Sequence, residues 1–125
     1  MKLDFLADGA ADCPLIRLFS FTREEAAHLY QLPVGLSTGA IQSVSLHGDP
    51  TIDSIGGCEL RLLQGKTDRG VLQTGRASFD CVLTPTGWDN MAGLVEPYYI
   101  TGSDGFQWLC SRTKINLLLS KDGSW

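Results

Sequence analysis

The sequence predicts a single α+β domain, residues 1–125, with an antiparallel twisted sheet of about six to eight short strands and two short helices packed on it. Three observations favour this fold class. A chain of 125 residues and 13.6 kDa has the size of one domain with one hydrophobic core. Apolar residues recur at period two between glycine-rich turns, as half-buried strands require. Two of these runs lead directly into helix-start signals.

The N-terminal third is predicted to hold an arm, a strand and a helix. Residues 1–13 carry acids among small residues, and we expect an extended lead-in or a mobile arm. Residues 15–20 alternate as a strand. Thr22 and Glu25 match a capping box at the start of the first helix. We expect that helix to end before Pro33, because proline lacks the backbone N–H that a helix interior uses.

The middle of the chain is predicted to add three strands. Residues 41–47 alternate between apolar and polar side chains, which is typical of a strand with one solvated face. Residues 58–64 and 71–75 flank a polar loop bounded by glycines. This arrangement predicts a β-hairpin in which the two strands pair with each other.

The clearest signal is a strand that turns directly into a helix. In residues 78–83 the apolar side chains alternate, so one face is predicted to be buried. The helix is predicted over residues 86–96, with Thr86 as N-cap, Asp89 as its capping-box partner and Pro97 as the stop. Its predicted buried stripe consists of Trp88, Met91, Ala92 and Val95.

The C-terminal third is predicted to be extended. Residues 97–101 are aromatic, and Tyr98 and Tyr99 are expected at the surface. Residues 106–110 and 115–119 alternate on either side of a turn, which predicts a second hairpin near the centre of the sheet.

Two segments suggest an internal duplication. The segment from Thr22 to Pro33 and the segment from Thr86 to Pro97 both begin at threonine, end at proline and follow a strand. The resulting hypothesis is a chain of two strand-helix-strands halves. Shared capping and stop signals explain the match equally well, since few identical residues accompany it.

Composition excludes several classes of function. The net charge is -4 and the pI about 4.9, which disfavours binding to nucleic-acid phosphates. No stretch approaches the roughly 20 apolar residues of a membrane span, and acids interrupt the N-terminus before a signal-peptide core could form. We therefore expect a soluble, cytoplasmic protein that binds neither nucleic acid nor membrane.

The cysteines argue against a metal site. Cys13, Cys58, Cys81 and Cys110 lie far apart without any C-x-x-C pair, whereas zinc ligands usually come in close pairs. The last three are in phase with apolar strand residues. Free thiols that act as small hydrophobic side chains, with no metal and no cofactor, are the expectation.

The favoured functional hypothesis is a non-enzymatic interaction module that binds a protein partner or forms a homo-oligomer. Charged residues make up 19% of the chain, below the average of about 25%, and no catalytic constellation is evident. Trp125 either docks on its own domain or serves as an anchor for another chain. The candidate interaction residues are Tyr98, Tyr99, Arg61, Arg69, Arg76 and Trp125.

The alternative hypothesis is a small-molecule-binding protein or a small hydrolytic enzyme with a pocket near the helix 86–96. The pocket residues would be Asp89, Asn90 and Glu96. His47 and Asp49 are the candidate acid/base pair, and Cys13 is a remote candidate nucleophile. His28 is expected to be an ordinary surface residue. Since spacing places no nucleophile beside His47, the sequence leans against an enzyme.

Overall fold

The chain folds as two halves, each a hairpin, a helix and a second pair of strands. The computed structural model describes all residues 1–125. The elements in chain order are β1 (Lys2–Leu6), β2 (Leu15–Phe19), α1 (Arg23–Thr38), β3 (Ser43–Ser45), β4 (Asp53–Ser54), β5 (Glu59–Gln64), β6 (Gly70–Gln73), β7 (Ser78–Leu83), α2 (Pro85–Ile100), β8 (Phe106–Cys110) and β9 (Asn116–Ser120). The α+β class and the number of helices are confirmed.

The nine strands form two mixed sheets and not one antiparallel sheet. Sheet A has the strand order β4-β1-β2-β9-β8, and sheet B has the order β3-β5-β7-β6. Within each sheet, two antiparallel pairs are joined by a parallel pair, β2 with β9 in sheet A and β5 with β7 in sheet B. The prediction of a purely antiparallel sheet is therefore wrong, because alternation marks strands but does not identify their partners.

Each half of the chain contributes one antiparallel pair to each sheet. The first half supplies β1–β2 to sheet A and β3–β5 to sheet B, and the second half supplies β6–β7 to sheet B and β8–β9 to sheet A. This division of strand pairs between the two sheets has the strand-helix-strands layout of the duplication hypothesis. Strand β4 is an additional strand in the first half. The predicted pairing of residues 58–64 with 71–75 is wrong, since β7 lies between β5 and β6.

Helix α1 begins as predicted and ends later. Thr22 Oγ1 accepts a hydrogen bond from Glu25 N, and Glu25 Oε1 accepts one from Thr22 N, which confirms the capping box. The helix continues through Pro33 to Thr38 and stops at Gly39, whose φ of 82° lies in the left-handed region. Pro33 is buried within the helix, where tertiary packing accompanies the missing hydrogen bond.

Helix α2 begins earlier than predicted and also passes its proline. Its N-cap is Thr84, whose Oγ1 accepts a hydrogen bond from Gly87 N at 3.1 Å. Thr86 lies exposed in the first turn and caps nothing. Pro85 explains the shift, because proline fits the first helical position, where no N–H is needed. The helix continues through Pro97 to Ile100.

The core receives side chains from both helices and both sheets. The predicted stripe of α2 is confirmed as buried, and Trp88 is completely inaccessible. Its Nε1 donates a hydrogen bond to Leu63 O at 3.0 Å, which ties α2 to β5. The two helices are antiparallel, since Arg23 at the start of α1 donates to Tyr99 O and Ile100 O at the end of α2.

Two segments expected at the periphery belong to the body of the fold. The N-terminal arm of residues 1–13 begins with β1, which is hydrogen-bonded between β4 and β2. Residues 97–101, predicted to be extended, are the last turn of α2 and its C-cap. Tyr98 is therefore buried against Phe21, and Tyr99 packs against Tyr30 with 4.8 Å between ring centroids.

Candidate functional site

Strand β8 is the longest free edge of the two sheets. Of the four edge strands, β4 has two residues and β3 has three. The third, β6, is partly covered, because Thr113 Oγ1 donates to Val71 O at 2.8 Å. Strand β8 has five residues and pairs only with β9. It carries no proline and no charged side chain of the kind that protects edge strands.

The free backbone groups of this edge belong to Phe106 and Trp108. Lys121 N donates to Gly105 O at 2.9 Å, and bonded and non-bonded positions alternate along an antiparallel pair. The backbone of the two residues opposite Ser120 and Leu118 therefore points away from β9. Gln107 Nε2 donates to Trp108 O at 3.1 Å, so the strand's own side chain occupies one of these acceptors.

Two aromatic rings accompany this edge on the outer face of sheet A. Phe106 is 47% exposed and Trp108 is half-buried. Their rings meet edge to face with 6.1 Å between centroids. The edge thus combines unpaired backbone groups with an aromatic surface, the two features that strand recognition uses.

A β-bulge at the end of β8 turns Cys110 into the core. Trp108 lies opposite Leu118, but Cys110 lies opposite Leu117, so Leu109 is an extra residue. The alternation over residues 106–110 would place Phe106, Trp108 and Cys110 on one face, but the bulge moves Cys110 to the other face. A bulge shifts the alternation by one residue, and bulges often re-aim a side chain next to a functional site.

The re-aimed Cys110 belongs to the same buried core cluster as Cys81 on β7. A hydrogen bond from Cys81 is the largest of the effects that lower the pKa of Cys110 to about 6, against the opposing effect of burial. The backbone N–H groups of Arg112 and Val71 and the Arg112 charge act in the same direction. The same contact, together with burial, raises the pKa of Cys81 well above its usual value.

Cys110 lines a cavity of about 170 Å³ beside α2. The lining residues are Leu83, Gly87, Asn90, Met91, Leu94, Leu109, Cys110, Ser111 and Arg112. Asp68 holds one wall in place: its Oδ1 accepts from Thr84 N and Oγ1, both at 2.8 Å, and its Oδ2 pairs with Arg112 at 3.3 Å. Gly87 permits this contact, because a Cβ there would come within 2.6 Å of Asp68 Oδ1.

A second cavity of about 280 Å³ lies on the outer face of sheet B. Its polar groups already bind one another. Arg61 forms a two-bond ion pair with Asp80, at 2.9 Å for both contacts. Glu59 accepts a hydrogen bond from Ser78 at 2.8 Å and lies 3.5 Å from His47 Nε2. With its charges mutually satisfied, this cavity offers less to a ligand than the one at Cys110.

The predicted acid/base residues lie close together in sequence but make separate contacts. Asp49 Oδ2 is 2.5 Å from His28 Nε2, and its Oδ1 accepts from Thr51. His47 Nδ1 instead accepts a hydrogen bond from Leu60 N at 3.1 Å. The partner of Asp49 is thus His28, which was expected to be an ordinary surface residue. Sequence proximity therefore does not predict which histidine Asp49 contacts.

The remaining predicted residues are scattered over the surface. Arg61 is held by Asp80, while Arg69 and Arg76 are exposed. Trp125 docks on its own domain, where its Nε1 donates to Asp12 Oδ2 at 3.2 Å.

Of the predicted pocket residues, only Asn90 lines the cavity beside α2, and Asp89 and Glu96 face solvent. Cys13 lines neither cavity. The sequence missed Cys81 and Cys110 as a pair and the open edge of β8. The sequence signal for both was apolar alternation, and the bulge shifts that alternation by one residue.

No similarity supplies a function from outside the molecule. No protein-family model, curated protein or solved structure matches this chain at a significant level. No three His, Cys, Asp or Glu side chains are grouped so that they could hold a metal ion. None of the helices has the length and apolar character needed to cross a bilayer. Function therefore has to be inferred from the sites themselves.

Proposed function

We propose that this protein is a non-enzymatic interaction module that binds an extended segment of a partner protein along the free edge of β8. The observation that carries the proposal is the contrast among the edges: β8 is the longest edge strand, and the side chain that bonds its Trp108 O is its own Gln107. An added strand would bond to the outward backbone groups of Phe106 and Trp108, and these main-chain bonds would supply affinity.

The aromatic side chains would supply selectivity. Large aromatic residues are enriched among the few positions that dominate binding energy. Phe106 and Trp108 lie on one face of sheet A, so a partner strand with apolar side chains on the same face would extend this surface. The segment is therefore expected to alternate apolar and polar residues.

The chain's other features agree with such a role. Its low content of charged residues leaves fewer repulsive groups at the surface. Ile100, 54% exposed at the end of α2, adds apolar surface shortly before β8 in the chain. A second copy of the chain, paired β8 to β8, would be the simplest homo-oligomeric version of the same interaction.

The proposal is tested with a charge placed on the edge. In Phe106→Lys, the lysine is a natural protection for edge strands and should abolish binding of partners that the wild type captures. Hydrogen exchange of the wild-type complex should show new protection at the amides of Phe106 and Trp108. Ile55→Lys is the matched control, because Ile55 is 44% exposed next to β4, the opposite edge of sheet A.

Two results would contradict the proposal. One is full retention of partners by Phe106→Lys; the other is an equal loss in Ile55→Lys. Light scattering of the purified protein decides whether the added strand comes from a second copy, since a wild-type dimer that Phe106→Lys converts to monomer would identify the partner as this chain itself.

A second candidate function is small-molecule binding in the cavity beside α2. The observation that favours it is the wall of that cavity, to which α2 contributes Gly87, Asn90, Met91 and Leu94. Native mass spectrometry of freshly purified protein tests it directly. A ligand-sized mass on the monomer that disappears in Asn90→Leu would support a pocket, whereas bare protein in both cases would count against it.

A further inference from the structure

Strand β8 itself has the sequence pattern expected of a segment that binds to its edge. Phe106, Gln107 and Trp108 alternate apolar, polar and apolar, and the two aromatic rings meet on the outer face with 6.1 Å between centroids. An edge strand that resembles the segment it binds can pair with a second copy of itself across a two-fold axis. Strand β8 meets this first condition for self-association.

The outward backbone groups of β8 are self-complementary. Phe106 and Trp108 direct their N–H and C=O groups away from β9. In an antiparallel pair, two facing residues with such groups exchange two hydrogen bonds. A two-fold axis at Gln107 places Phe106 of each copy opposite Trp108 of the other, so the outward groups of both copies are satisfied by about four main-chain hydrogen bonds.

The neighbouring antiparallel registers leave some of these groups unpaired. An axis at Trp108 would place Phe106 opposite Cys110 of the second copy, whose backbone the bulge turns toward β9. An axis at Phe106 would need the backbone of Asp104, but Gly105, with a φ of 83°, interrupts the extended conformation there. Only the axis midway between Phe106 and Trp108 pairs the outward groups of both residues.

The charges on either side of β8 also complement those of a second copy. Asp104 precedes the strand, is exposed and forms no ion pair. Arg112 and Lys114 follow the strand and are both exposed, and only Arg112 has an acidic neighbour, Asp68 at 3.3 Å. Because antiparallel pairing sets the start of one strand beside the end of the other, the acid of each copy faces the bases of its neighbour.

The side chains at the axis fit the same register. Phe106, 47% exposed, faces the half-buried Trp108 of the second copy, and cross-strand aromatic pairs stabilise sheets. Gln107 faces Gln107 of the second copy, and its amide can both donate and accept a hydrogen bond. In the single chain this amide donates to Trp108 O at 3.1 Å. The second copy replaces that bond with a main-chain N–H.

We propose that the strand bound by β8 is β8 of a second copy, in antiparallel register about a two-fold axis at Gln107. The inference rests on the proposed function, since it names the partner of the same edge. The pairing joins sheet A of the two copies into one continuous sheet. Because the paired segment is short, the dimer is weak, with a dissociation constant on the order of 10 μM.

A cysteine at the axis tests the register directly. Facing residues that do not bond to each other have Cα atoms about 4.5 Å apart, which is within the range of a disulfide. On mild oxidation of the full chain, Gln107→Cys should therefore give a covalent dimer whose peptide map links position 107 to position 107. Ile55→Cys is the matched control and should stay monomeric, because Ile55 is 44% exposed next to β4 at the opposite edge.

Light scattering measures the dimer without any new cysteine. At about 100 μM, the wild type should have close to twice the 13.6 kDa mass of the chain and should dissociate on dilution. Asp104→Lys places like charges at both ends of the paired strands. It should raise the dissociation constant about tenfold in low salt and less in high salt, because salt screens these charges.

The wild-type measurement decides the matter even if a variant fails to fold. A wild-type monomer at that concentration overturns the inference, and so does a dimer in which folded Gln107→Cys forms no link between the two positions 107. These failures differ from a failure of the proposed function. Capture of a different protein that Phe106→Lys abolishes would keep β8 as the binding edge and remove only the second copy as its partner.

Discussion

The two helices occupy equivalent places in the two halves but fill the core unequally. Both have 16 residues and a threonine N-cap. At the same distance from those caps, Ala26 N donates to Thr22 O and Trp88 N donates to Thr84 O. Both positions are completely buried, yet one holds the smallest apolar side chain and the other the largest. The backbone plan is repeated, whereas the packing is asymmetric.

The strands that follow the helices differ in the same way. Strand β3 follows α1, has three residues and lies beside a polar face with the Arg61–Asp80 ion pair. Strand β8 follows α2, has five residues and carries an open aromatic edge with Cys110 at its end. Equivalent positions in a fold can therefore carry different surfaces, and the second half holds both candidate sites.

The largest difference between the halves should appear at the paired helix positions. Trp88→Ala should lower the free energy of unfolding by about 3–5 kcal/mol, because it leaves a cavity and removes the bond to Leu63 O. Ala26→Gly should cost only about 1 kcal/mol, the difference in helix propensity. Urea unfolding measures both. Similar losses of unfolding free energy at the two positions would show that core stability does not depend on the size difference between Trp88 and Ala26.

The outer faces of the two sheets each carry an arginine-aspartate pair, and the pair in sheet A should contribute more to the free energy of unfolding. Arg17 donates to both carboxylate oxygens of Asp4, at 3.0 and 2.7 Å, and to Gly123 O at 2.7 Å. It also lies over the Phe19 ring. Arg17→Ala leaves a nearly buried carboxylate unpaired and should cost about 2–3 kcal/mol in urea unfolding.

Arg17→Lys is the matched control for that pair. It keeps the charge but cannot form the planar two-bond contact with Asp4, so an intermediate loss is expected. Full stability in Arg17→Ala would mean that the C-terminal residues, and not this ion pair, hold the outer face of sheet A together.

Local signals in the sequence predicted elements better than partners. The capping box at Thr22 and the stripe that includes Trp88 depend on neighbours along the chain, and both are confirmed. The pairing of β5 with β7 depends on the whole topology, and no residue in either strand encodes it. Proline was a poor stop signal in both helices. The burial of Pro33 and the continuation of α2 beyond Pro97 are tertiary effects.

The candidate sites were harder to predict for a physical reason. Cys110 has no functional signal of its own; its environment comes from a bulge, from Cys81 on another sheet and from Arg112 in the following turn. The free edge of β8 exists only because the chain places no further strand beside it. Both properties belong to the assembled sheets. Conversely, His47 and Asp49 are near each other in sequence but contact different partners in the fold.

The thiol pair should make stability depend on pH. The pKa of Cys110 is lowered from 9.0 to about 6 in the folded protein, so the unfolded chain binds more protons between these values. Stability should therefore rise from pH 6 to pH 9. Above pH 9 it should fall again, because the raised pKa of Cys81 keeps a proton that the unfolded chain releases.

Thermal unfolding over this pH range checks the prediction. In Cys110→Ser the rise between pH 6 and pH 9 should disappear, while Cys58→Ser should retain it. A wild-type profile that is flat between pH 6 and pH 9 would contradict an ionised Cys110 in the folded state.

The smallest effect is expected at the ion pair of sheet B. Arg61 is bonded to Asp80 with the same two-bond geometry as Arg17 with Asp4, but its side chain is 52% exposed against 19% for Arg17. Water screens the pair and the side-chain order it requires offsets the attraction, so Arg61→Ala should leave the free energy of unfolding nearly unchanged. Urea unfolding in low and high salt should show that even this contribution vanishes on screening. A loss as large as that of Arg17→Ala would mean that the polar face of sheet B supports the fold as much as the outer face of sheet A does.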